Sequence, residues 1–248
     1  MHKFLAVLAL TMLLVPAPAS AQASADTRIL VMPFDNPGRE PRLHWIAEAA
    51  SLLIADELNA RGVAAIRRAE RARAFEELHL PAAANLSRAT VIKVGQLVAA
   101  SEVIVGSVRV TGDDLVIEAQ SIRIDLGRLQ PHVTERGPLA DVVQLFERIA
   151  GRLAPGTSIA GSRAPRPPLD AFEAYVKGLM AESAASRASF LEAAIDAYPD
   201  YDRAHLALWD VRRDQADHAG ALASAKSVAP SSPFARRARF FAAISLLE

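Results

Sequence analysis

Short apolar runs with β-branched residues alternate with helically spaced apolar positions over the first half of the chain, and helical spacing alone continues over the second. Arg28 to Phe34 is mostly apolar and is closed by Pro33, the pattern of a short strand buried on both faces. Asp35-Asn36-Pro37-Gly38 then turns the chain. From Trp45 to Ala60 the apolar positions Ile46, Ala49, Ala50, Leu53, Ile54 and Leu58 fall on one helical stripe, with Gly62 where a C-cap belongs. Val63 to Ile66 has room only for a strand or a turn. A second helix is expected from Ala69 to Leu80, stopped by Pro81, and a third from an N-cap at Ser87 to about Ala100. Glu102–Val110, Leu115–Asp125 and Arg128–Glu135 read as three strands. Gly112-Asp113 and Gly127 sit at their joints, where positive φ is tolerated. Leu139 to Leu153 closes this part as a helix.

Ala154 to Pro168 is rich in Pro and Gly, and a linker is expected over 155–168. Beyond it, from Leu169, every segment reads as helix, and the pattern repeats. Pro199 and Pro230 are each preceded at equal offsets by Ala (Ala194, Ala225) and Leu (Leu191, Leu222), and each is followed at equal offset by Ala (Ala204, Ala235). The spacing is close to the roughly 34 residues of a helix-turn-helix solenoid unit. Small residues serve where paired helices approach closely, and Pro cannot continue the second helix. The expected fold class is therefore α/β, a mixed sheet with packed helices, followed by an all-α solenoid of helical hairpins.

The N-terminal residues follow another logic. Lys3 precedes an apolar run from Phe4 to Val15, and Pro16 and Pro18 lead into Ala19-Ser20-Ala21. The run is shorter than the roughly 18 residues a bilayer span needs, so residues 1–21 read as a signal peptide cut after Ala21. The expected product is periplasmic or secreted, without a transmembrane span after cleavage. The expected organisation is a leader over 1–21, an α/β domain over 27–154, the linker over 155–168 and helical repeats over 169–248.

Composition narrows the chemistry. With 28 basic and 28 acidic residues the chain is formally neutral, which removes the basic field of a nucleic-acid partner. The arginines Arg61, Arg67, Arg68, Arg71 and Arg73 are interleaved with Glu70, Glu76 and Glu77, as on a solvated helix. There is no Cys, so thiolate chemistry and Cys-based metal sites are excluded. No phosphate-binding glycine loop is present, and no His pair has helical metal-ligand spacing with a third ligand nearby. The expectation is a protein without enzymatic activity, cofactor or metal. Trp45, Trp209 and Tyr175 read as core.

The residues carry a resemblance. Ile29-Leu30-Val31-Met32-Pro33-Phe34-Asp35-Asn36, Val105-Gly106-Ser107-Val108-Arg109 and Gly112 to Gln120 resemble the TolB amino-terminal-like α/β domain, with Asp125-Leu126-Gly127 at its next turn. Pro168 to Gly178 and Ala194 to Pro199 look like tetratricopeptide repeats, with Leu206 and Trp209 departing from the usual pattern. The resemblance implies a non-enzymatic exported adaptor that binds a protein or peptide partner in the bacterial envelope. In such repeats the first helix of each pair lines a concave groove, which makes Glu173, Lys177, Arg203, Asp210 and Arg213 the partner-binding candidates. An apolar last helix, with Phe240, Phe241, Ile244, Leu246 and Leu247, has two open readings. It is the edge of a longer repeat array, or a face covered by a partner or by self-association through Phe240, Phe241, Ile244 and Leu247. The alternative function is a sensory or small-molecule-binding module. Its sign would be a concave apolar pocket with polar groups beside Asp35, Asn36 and Arg109.

Overall fold

Strand β1 (Arg28–Val31) lies inside the sheet, parallel to β2 (Ala64–Ala65) on one side and to β3 (Glu102–Thr111) on the other. β4 (Asp114–Arg123) pairs antiparallel with β3 along its whole length, and β5 (Arg128–Leu129) and β6 (Val133–Pro138) both pair antiparallel with β4. The computed structural model describes residues 27–81, 86–157, 159 and 166–248. The expected leader lies outside the described residues, as do residues 158 and 160–165 of the expected linker.

Alternation along β1 assigns its side chains to two cores. Ile29 and Val31 join Ile104, Val108, Leu115 and Ile117 under α1 (His44–Ala60) and α4 (Val142–Leu153). Leu30 and Met32 join Val103 and Ile122 under α2 (Arg68–Glu77) and α3 (Arg88–Leu97). A period of two on a strand covered on both faces is the reason the run reads as continuously apolar.

Several element ends differ from expectation. The helix expected to reach Leu80 stops at Glu77, because His79 takes a left-handed φ of 53° and the Leu80 amide turns back to the Phe75 carbonyl at 2.8 Å. Ala99 (φ 53°) ends α3 at Leu97 in the same way, with Ala100 N donating to Gly95 O at 2.8 Å. Gly62 (φ 76°) does so for α1, where a glycine announced it. The single strand expected over 128–135 divides at Pro131, which has no amide to donate. The pairing with β4 shifts register between Leu129 and Val133, forming a bulge, and Gln120 Nε2 donates to the displaced Gln130 carbonyl at 2.7 Å.

The helical part contains α5 (Leu169–Met180), α6 (Ala184–Ala197), α7 (Asp202–Asp214), α8 (His218–Lys226) and α9 (Ala235–Leu247). The small residues picked out by the repeat are seams: Ala194, Ala204, Ala225 and Ala235 are all buried, and a Cβ on Gly178 would meet Leu191 Cγ at 2.8 Å. Ser183 and Asp217 cap α6 and α8, accepting from Ser186 N at 3.1 Å and Gly220 N at 2.9 Å. The hairpins pack directly on the α/β part. Trp45 of α1 meets Phe172 of α5 edge to face at 6.3 Å, and the core under α1 continues through Tyr175, Leu191 and Ala204. Trp45, Trp209 and Tyr175 are all buried, as their surroundings in the sequence led us to expect. Among the described residues no helix is long and apolar enough to cross a membrane.

Candidate functional site

The five partner-binding candidates on the hairpins do not converge. Glu173 and Lys177 pair with each other along α5 at 2.6 Å. Arg203 is drawn away from any rim to Asp56 on α1, which it holds through both guanidinium nitrogens. Burial opposes its charge, yet the Asp56 carboxylate holds its pKa above the ordinary arginine value. Arg213 bonds Asp214 at 2.9 Å, stands 4.0 Å from Asp210 and lies over the Trp209 ring at 4.8 Å. Burial pushes the Asp210 carboxyl up despite Arg213. The structure thus gathers Asp210 and Arg213, keeps Glu173 and Lys177 as a local pair, and uses Arg203 to join α7 to α1.

The apolar quartet on α9 also divides, because adjacent helical positions point about 100° apart. Phe241 stacks on Trp209 at 3.8 Å, and Ile244 packs with it against α8. Phe240 and Leu247 face outward, 63% and 88% exposed, together with Leu246 at 68%.

The sheet builds a second candidate. From β1 the chain passes through α1 to β2 on one side, then through α2 and α3 to β3 on the other, with the two crossings on opposite faces. Neighbouring parallel strands whose connections diverge leave a crevice beyond their C-terminal ends. Here that crevice is a cleft of about 1020 Å³. Its floor is Met32, Val105, Gln120 and Ile122, and Phe75, Leu86 and Val91 form one wall. The start of α1 and the end of α5, with His44, Glu48, Leu179 and Met180, form the other.

Backbone bonds hold the mouth. Asp35 N donates to Gly106 O and Val108 N to Asp35 O, both at 2.8 Å, which clamps the segment after β1 to β3. Asn36 closes the next turn on both sides, donating from Nδ2 to Glu40 O at 2.8 Å and accepting from Glu40 N at 3.2 Å. Gly106 is required because a Cβ would fall 2.3 Å from the Phe34 ring. Asp35 lines the cleft, and among the described residues no hydrogen bond or ion pair engages its carboxylate. Partial burial raises its pKa, and no cation offsets the rise.

Behind the wall, buried Glu48 accepts from Arg68 Nε at 2.7 Å and Arg71 Nη2 at 2.5 Å. Arg71 donates further to Val31 O at 3.1 Å, and Arg68 to Leu179 O at 2.9 Å. Burial lowers the Arg71 pKa while the Glu48 carboxylate raises it. One carboxylate and two arginines thereby tie β1, α1, α2 and the end of α5 into a rigid side of the cleft.

Of the three residues named for the small-molecule alternative, Asp35 and Asn36 line the cleft. Arg109 does not: it lies on the exposed sheet surface beyond, bound to Glu118 at 2.7 Å, because α2 and α3 cover only part of that face. The pocket walls Phe75, Val91 and Leu179 carried no signal in the sequence beyond ordinary core patterning. Among the described residues no group of three or more His, Asp or Glu is placed to hold a metal ion.

No protein-family model and no curated protein matches the chain. Solved structures with a similar arrangement include the LpoB C-terminal domain from Salmonella enterica (13% identity, TM-score 0.34, covering 48% of this chain and 87% of that one). TolB from Acinetobacter baumannii aligns at 16% identity with a TM-score of 0.36, over 52% of this chain and 27% of that one. Lipoprotein GNA1162 from Neisseria meningitidis aligns at 16% identity with a TM-score of 0.39, over 51% of this chain and 97% of that one.

Proposed function

We propose that the protein is an exported, non-enzymatic adaptor of the bacterial envelope, in which tetratricopeptide-like hairpins dock a protein partner and the α/β part holds them in place. The observation that carries this reading is α9: its Phe241 and Ile244 complete the packing on Trp209, while Phe240, Leu246 and Leu247 stand outside it. Large apolar side chains clustered on a solvent face cost free energy and are retained where a partner covers them. The occupant that fits is an apolar helix or extended segment of another envelope protein. The test is affinity capture from envelope extract with the wild-type chain and with a Phe240→Ser, Leu247→Ser variant. A partner retained by the first and lost by the second supports the adaptor. Identical captures, or a wild-type chain that sediments as a dimer through this face, overturn it.

A second reading is favoured by the cleft. Its volume and its mixed lining, in which apolar Met32, Val105 and Ile122 stand beside charged groups such as Asp35, Arg39 and Arg88, suit a small molecule, which makes the α/β part a receptor and the hairpins the output. Saturable binding of a small apolar probe, lost when Val105 is enlarged, would support it.

A further inference from the structure

We infer that the cleft takes an amphiphilic organic amine, its ammonium group seated on the Asp35 carboxylate and its apolar body lying on Met32, Val105, Ile122 and Phe75. The inference rests on the receptor reading and adds the chemical class of the ligand and the atom that recognises it.

Among the described residues four carboxylates line the cleft, Asp35, Glu40, Glu48 and Glu182. Glu48 is held through one oxygen, Oε1, by both Arg68 and Arg71, and Glu40 is engaged by Arg42 at 3.1 Å. Glu182 lies past the end of α5, exposed at the outer lip. Asp35 is different, since its backbone is clamped to β3 on both sides while its carboxylate has no partner among the described residues. It also stands beyond the C-terminal end of the central parallel strand, where the connections diverge. Arg39 and Arg88 line the same cleft, yet neither forms an ion pair with Asp35. A carboxylate can only accept hydrogen bonds, so its complement is an N–H donor, and a cationic donor makes the stronger bond. The floor beneath is largely apolar: Met32 is 3% exposed and Ile122 2%, and Gln120 beside them gives one amide N–H to Gln130 O. An ammonium compound without an apolar body would leave that floor wet, and an apolar compound without an amine would leave Asp35 unpaired.

Three dansyl probes of one ring system separate the possibilities: dansylcadaverine, which carries a primary amine, neutral dansylamide and anionic dansylglycine. Emission titrations are made with the wild-type protein, with Asp35→Asn and with Val105→Phe. Asp35→Asn is close to isosteric at an exposed side chain, and its melting temperature serves as the folding control. The expected result is that dansylcadaverine binds tightest, that Asp35→Asn weakens it about tenfold, the loss of one charge-assisted hydrogen bond, and that dansylamide is unaffected by this change. Val105→Phe, which fills the floor, should weaken both. If no probe binds saturably, the receptor reading falls and the inference with it. If dansylamide or dansylglycine binds as tightly as the amine, or Asp35→Asn binds the amine like the wild type, the amine inference falls while the receptor reading stands. If Val105→Phe leaves dansylcadaverine unchanged, the amine sits elsewhere and the inference falls.

Discussion

Asp56 on α1 and Arg203 on α7 form a two-pronged ion pair, Nη1 to Oδ2 at 2.6 Å and Nη2 to Oδ1 at 2.8 Å, across 147 positions of sequence. It is a direct polar tie between the α/β part and the hairpins, next to the buried Tyr175 and Tyr201 rings, which lie 5.0 Å apart. Parallel hydrogen bonds from one guanidinium fix orientation as well as distance. Because 33% and 43% of the two side chains remain exposed, solvent screening keeps the contribution small. Asp56→Ala and Arg203→Ala should each lower stability by about 1 kcal/mol. In a double-mutant cycle by urea unfolding, the double variant should cost little more than either single one. Additive losses would mean that the pair contributes nothing to the joint.

Glu48 should be far less tolerant. Its removal leaves Arg71, 6% exposed, without its counter-charge in a low-dielectric wall. Glu48→Ala is expected to cost about 3–5 kcal/mol, and Glu48→Gln less, because the amide still accepts hydrogen bonds. Chemical denaturation followed by circular dichroism gives both values.

Gly106→Ala and Gly38→Ala make a matched pair. At Gly106 the added carbon would meet the Phe34 ring and the Glu118 carbonyl, at 2.3 and 2.4 Å, so ring and strand must both move. The expected cost is about 3 kcal/mol. At Gly38 nothing lies within 4 Å, and the change should stay within about 0.5 kcal/mol. Thermal unfolding of the two variants under one condition checks the contrast.

Glu135 on β6 accepts from Arg148 Nε at 2.8 Å and Arg152 Nη1 at 3.0 Å, both on α4. Burial raises its carboxyl, but the hydrogen bonds from the two arginines outweigh this and hold it below its ordinary 4.5. A folded-state pKa below the unfolded one stabilises the fold above the unfolded value, and that stability is lost as pH falls through the folded value. Glu135→Gln should therefore lower stability by about 1 kcal/mol at pH 7. The gap between variant and wild type should close as pH falls below 4.5. Melting temperatures across that range measure it, and a gap that persists in acid would assign the loss to packing instead.

Much of this architecture was legible before any coordinates. The apolar run at Ile29–Met32 feeds two cores because strand side chains alternate, and Ser87 caps α3 by accepting from Thr90 N at 3.2 Å. Ala194 and Ala225, found as equivalent positions of a repeat, are both seam residues, 0% and 2% exposed. These features rest on local rules: the period of two or of 3.6, the chemistry of caps, and the steric need for small residues between close helices. Helix ends at His79 and Ala99 were not legible, since a left-handed φ on a residue other than glycine is imposed by its surroundings. Nor was Arg203 recognisable as a joint, because its partner Asp56 is adjacent only once α7 has folded back onto α1. The cleft has the same origin. The sequence sets Asp35 and Asn36 beside a candidate pocket, but the pocket itself forms because two connections leave the sheet on opposite faces, a property of topology that no local window of residues contains.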